Sequence, residues 1–194
     1  MSLHLPIESK IESRAAKSVA GLALLSALLL SACSPIHEDG PIRMSGNEGT
    51  LCLPRIEGSA LVLGGIILDT DGKDGVVVES VEFLESSNIS VDQAYLVPMG
   101  SRTQLVGFVE EDAALERALA EAITIGPDST PLDPEEDYNL VVIASPGSED
   151  KASVSGFQLA YSVGSQSYTD GAPKDEVVVP AKGAACSDGD FGSE

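Results

Sequence analysis

The 194-residue chain carries 31 acidic against 11 basic side chains, for a net charge of −20. A surface that acidic excludes nucleic acid as a partner, because phosphate recognition needs clustered cations. An apolar share of 43% excludes a chain disordered throughout, and the length fits one domain with an attached segment.

The first elements form a leader. Residues 1–18 are polar and include Lys10, Arg14 and Lys17, and residues 19–30 are an uncharged apolar run. A spanning helix needs about 20 apolar residues, so the shorter run fits the apolar core of an export signal. It ends in Leu30-Ser31-Ala32-Cys33, which resembles the lipobox of bacterial lipoproteins. The resemblance implies that residues 1–32 are a cleaved signal peptide and that Cys33 is the lipidated first residue of the mature chain. It also implies that the bilayer is a partner and that the protein is held on the extracytoplasmic side of the cell membrane. One acyl chain gives only marginal attachment, whereas two or three give a stable anchor. The leader's own charge is +1, so the remainder carries −21 and the acidity belongs to the exported part.

Two cysteines remain, Cys52 and Cys186. In an oxidising compartment an even pair reads as a disulfide. Such a bridge closes a loop of about 135 residues, which stabilises by up to about 5 kcal/mol in the chain-entropy view. Residues 33–50 are rich in Gly, Pro and Ser and read as a flexible tether, with an end-to-end distance of roughly 20–25 Å.

Strand patterns follow. Residues 59–68 form one apolar run broken by Gly64-Gly65, and residues 69–75 carry turn chemistry. Residues 76–84 and 89–98 read as further strands, and 104–109 as a short one. Within 110–122, Leu115, Ala118, Leu119 and Ala122 recur at helical spacing and predict one short connecting helix with a packing stripe. Residues 157–163 alternate large and small or polar side chains, the pattern of a half-buried strand, and Gly164-Ser165 turns it into 166–169. Residues 176–179 form a final strand, and 188–194 a frayed tail. The predicted fold is mainly β: a single antiparallel sandwich over residues 51–187 with one helix.

Residues 131–142, Pro-Leu-Asp-Pro-Glu-Glu-Asp-Tyr-Asn-Leu-Val-Val, resemble the turn and strand of fibronectin type III and immunoglobulin-like domains. The resemblance implies that Leu132 and Tyr138 are core residues and that the Tyr138 hydroxyl bonds back to the turn backbone as a tyrosine corner. Glu135 stands where those families often place Gly. More broadly, residues 58–180 resemble the small exported β-sandwiches of high-G+C Gram-positive bacteria, which implies an immunoglobulin-like fold and little about chemistry.

The strongest candidate site is Asp69, Asp71 and Asp74, three carboxylates close enough in sequence to hold a hard cation such as Ca²⁺. Lys73 and Asp74 occupy places where a helix-loop-helix calcium loop needs an oxygen ligand and Gly, and a solvated hairpin turn explains the same residues. Ser148-Glu149-Asp150-Lys151 matches S-x-x-K without the companion motifs of penicillin-binding enzymes. The acidic groups 110–112 and 135–137 read as solvated faces. With the one His outside the leader, His37, in the tether, no catalytic residue and no cofactor beyond the calcium alternative is expected. The expected function is a non-enzymatic interaction or structural module at the cell envelope, with an unidentified envelope protein or ligand as partner. The alternatives are a calcium-binding adhesive module and a solute-binding or enzymatic accessory protein.

Overall fold

A computed structural model describes residues 36–37, 39–46, 49–99, 107–109, 113–147, 150–171 and 175–191. The chain divides after Pro35, and every described residue belongs to the unit Ile36–Glu194. Twelve described strands and one α-helix follow in order: β1 (Ile36–His37), β2 (Arg43–Ser45), β3 (Gly49–Cys52), β4 (Ala60–Asp69), β5 (Val76–Ser87), β6 (Ile89–Pro98), β7 (Gly107–Val109), α1 (Ala113–Leu119), β8 (Ile123–Thr124), β9 (Tyr138–Pro146), β10 (Ala152–Val163), β11 (Gln166–Gly171) and β12 (Asp175–Val179).

They form two six-stranded sheets. One is organised around β10, which pairs along one edge with β5 and along the other with β12 and then β11. The other is organised around β4 and β9, with β6 and β8 beyond β9 and with β7 and β2 sharing the outer edge of β4. One core lies between the sheets. It joins Leu61, Leu68, Leu96 and Leu140 of the β9 sheet to Val78, Val154, Leu159 and Tyr161 of the β10 sheet. The fold is a mainly β sandwich of two packed sheets with one short helix, as the strand spacing predicts.

Two features bend the predicted strands. The Gly64-Gly65 pair does not end β4. It inserts one extra residue between the pairs Leu63–Val142 and Ile66–Leu140. Gly65 takes φ +100°, open to glycine and strained for other residues. Its N–H donates to the Oδ1 of buried Asn139 at 2.9 Å, so a side chain fills the gap that the bulge leaves in the ladder. At the other end of the sandwich, Asn88 at φ +56° carries the chain from β5 in one sheet into β6 in the other.

Two expectations are corrected, and the antiparallel sandwich gains two parallel edge pairings. Within the predicted tether 33–50, the described residues 36–37, 39–46 and 49–50 are not a flexible linker: β1 pairs with β11, β2 pairs with β4, and Ile42 is only 5% exposed in the core. Strands of two or three residues are specified by their partners, so no local periodicity announced them. The sandwich is not wholly antiparallel, because β1 runs parallel to β11 and β3 parallel to β12. Those strands reach sheet edges across long connections, not through hairpins. Within the predicted tail, Asp188–Asp190 form a 3₁₀ turn capped by Ser187, whose hydroxyl and N–H both donate to the Asp190 carboxylate.

Helix α1 ends at Leu119, before Ala122, and its stripe is used inside the fold. Ala118 packs with Val62, Val97 and Val141 on the outer face of the β9 sheet, with Leu115, Leu119 and Ala122 beside it. The stripe is therefore occupied by the chain itself and not held out for a partner.

Candidate functional site

Cys33 and the leader 1–32 lie outside the described residues, as do Ser148 and Glu149. Cys52 and Cys186 form a disulfide with Cα atoms 6.0 Å apart. The bridge is placed by β3 and β12: Cys52 pairs with Val178, and the Leu53 N–H donates to the Val178 carbonyl at 2.9 Å.

The end of the sandwich near this bridge is stitched by polar contacts. Arg55 donates through Nη1 to the Gly147 carbonyl and through Nη2 to the Asp150 carbonyl. The Gly147 N–H donates to the Asn88 carbonyl at 2.6 Å. Lys182 pairs with Glu57 at 2.6 Å and Lys151 with Asp190 at 2.7 Å. Lys182 holds the Glu57 carboxyl below its ordinary range, and Lys151 with Ser187 holds Asp190 down at about 2. The Glu57 carboxylate is exposed, so its pair stabilises modestly, whereas the Asp190 carboxylate is largely covered by its partners.

The opposite end carries the predicted calcium residues. Asp71 and Gly72 are both at positive φ, and the Lys73 N–H donates to the Thr70 carbonyl at 3.0 Å, the geometry of a hairpin turn. Asp69 Oδ1 accepts the Asp71 N–H at 2.7 Å, and Asp71 Oδ2 pairs with Arg43 at 3.0 Å. That pairing raises the Arg43 pKa through the hydrogen bond and the charge of Asp71. Asp69, Asp71 and Asp74 do not converge: among the described residues no group of three or more His, Cys, Asp or Glu side chains is placed to hold a metal ion. Asp69 serves the turn and Asp71 an ion pair instead.

Each sheet contributes one anchoring tyrosine at this end. In β9, buried Tyr138 accepts the Asp133 N–H at 3.0 Å, and Leu132 is buried beside it. The turn does not require Gly at position 135. Asp133 Oδ1 accepts the Glu135 N–H at 2.9 Å, which fixes the bend by an Asp side chain. In β10, Tyr161 donates to Asp170 Oδ2 and accepts the Ile42 N–H at 3.4 Å. Its ring stacks on Tyr168 with centroids 5.4 Å apart. Burial, reinforced by Asp170, raises the Tyr161 pKa well above the ordinary 10. Gly40 lies so close that a Cβ there would sit 1.7 Å from the Tyr161 hydroxyl. Sequence reading missed this second anchor, whose signal lay in a Tyr in an alternating strand with an Asp across the following hairpin.

Residues 39–45 form a strap across Tyr161, and beside it runs an open cleft of about 610 Å³ between Pro41, the Lys73–Gly75 turn, Val163 and Tyr168. Lys73 and Asp74 are its charged groups, and its described lining brings no Ser, Cys or His into it.

No family model matches the chain, and no curated protein matches it. Among solved structures, the chain is similar to the ASH/PapD-like domain 7 of human CEP192, at 10% identity and a TM-score of 0.35, over 80% of this chain and 97% of that one. No described helix is long and apolar enough to cross a membrane.

Proposed function

We propose that the protein is a lipid-anchored, extracytoplasmic module that binds or braces another component of the cell envelope and performs no chemistry of its own. The observation that carries this reading is the partition of the three cysteines. Cys52 and Cys186 are joined to each other, which leaves Cys33 alone at the end of Leu30-Ser31-Ala32-Cys33. A structural disulfide fits an oxidising compartment, and the remaining thiol sits where a lipobox needs its acceptor. With a net charge of −20, the partner is expected to present a cationic face.

Metabolic labelling with radioactive palmitate tests the reading. The wild-type chain takes up label, loses its leader and fractionates with membranes, and Cys33→Ala does none of these. A product that stays unlabelled in the cytosol with its leader intact overturns the reading, and a broad hydrolase panel with robust turnover overturns its non-enzymatic part.

A further inference from the structure

We infer that the sandwich is seated directly on phospholipid headgroups by the end that carries the β10–β11 hairpin, and does not ride on a flexible stalk. The inference rests on the reading of Cys33 as the acylated residue. Only Ser34 and Pro35 separate that residue from Ile36, the first strand position. A fully extended chain advances at most about 3.6 Å per residue, so the acylated residue lies within roughly 11 Å of Ile36.

From Ile36 onward the described residues are held to the sandwich and leave this reach short. Ile36 and His37 pair with Ser167 and Tyr168, Gly40 abuts the Tyr161 ring, Ile42 is buried, and β2 is paired to β4. Ile36 stands beside Ser167, next to the turn at Gly164 and Ser165. The β4–β5 turn lies at the same end, because Val76 pairs with Val163. The opposite end, where Ser87 pairs with Ser153, is ten positions away along β10. At the rise of an extended strand that is roughly 33 Å. Asp71, Asp74, Asp133 and Glu135 are exposed at the seated end. Covalent reach therefore holds that end against a headgroup layer that its charge does not seek, and a zwitterionic surface suits it better than an anionic one.

The chain contains no Trp, so one introduced indole is an unambiguous energy donor. Ser165 and Ser87 are both exposed, one at each end. Full-length lipidated Ser165→Trp and Ser87→Trp proteins would be reconstituted into phosphatidylcholine vesicles bearing a dansyl-headgroup lipid. Quenching is expected to be several-fold stronger at position 165, and a long Gly/Ser insertion between Pro35 and Ile36 should abolish the difference. Equal quenching at both positions, or stronger quenching at 87, in protein that floats with the vesicles overturns the seating and leaves the anchor standing. Protein that fails to float overturns both.

Discussion

The two sheets meet in one core but treat their outer faces differently. In the β9 sheet, Tyr138 to Val142 are all buried, because α1 covers the side that faces away from the core. In the β10 sheet, burial alternates from Ala152 onward, and Ser153, Ser155 and Ala160 are only partly buried. The first sheet is thus a middle layer and the second an outer one. A strand with both faces buried reads as a continuous apolar run, and a strand with one wet face alternates. The difference predicts where the molecule tolerates charge and where it does not.

The largest effect is expected from Val141→Asp, which places an unpaired carboxylate between β9 and α1. It should cost about 4 kcal/mol or more by urea unfolding, whereas Ala160→Asp on the wet face should cost less than about 1 kcal/mol. Equal losses would mean that α1 does not cover the β9 sheet in solution. Replacing both Cys52 and Cys186 with Ala should cost about 2–5 kcal/mol, read as a lower melting temperature that reductant no longer moves.

Gly40→Ala asks whether the strap belongs to the sandwich. Overpacking against Tyr161 should cost about 1–3 kcal/mol, with hydrogen-exchange protection lost first at 42–45. Uniform loss across both sheets would argue against a separable strap. Tyr138→Phe removes one acceptor from the corner turn and should cost about 0.5–1.5 kcal/mol in the β9 sheet alone. The smallest effect concerns pH. Because the Asp190 pKa is lowered from 3.8 to about 2, its contribution is complete above pH 3.8 and lost as pH falls through 2. Lys151→Ala should raise that pKa toward 3.8 in a carboxyl NMR titration, and an unchanged value would assign the shift to Ser187.

What the amino-acid order revealed follows the same division. The run 89–98 reads as a strand and is β6, and the alternation at 157–163 lies within β10. The corner was legible because its Leu, Pro and Tyr are local to one another. The strap was not: Ile42 and Met44 stand alone among Gly, Pro and Ser, and only distant Tyr161 and β4 give them a place. The aspartates at 69–74 were legible as a turn, but spacing alone does not tell whether carboxylates point together or apart. The Ser187–Asp190 cap had a signal, Ser followed three residues later by Asp, that reading the tail by composition passed over.

The bridge between Cys52 and Cys186 also governs how the molecule meets tension. If a partner grips the C-terminal residues while the other end is held at the bilayer, pulling passes from residue 52 to residue 186 through two sulfur atoms. The 134-residue separation between them cannot be drawn out until that covalent bond is reduced. Extension is then confined to the residues before Cys52 and after Cys186, and the strands between them are spared.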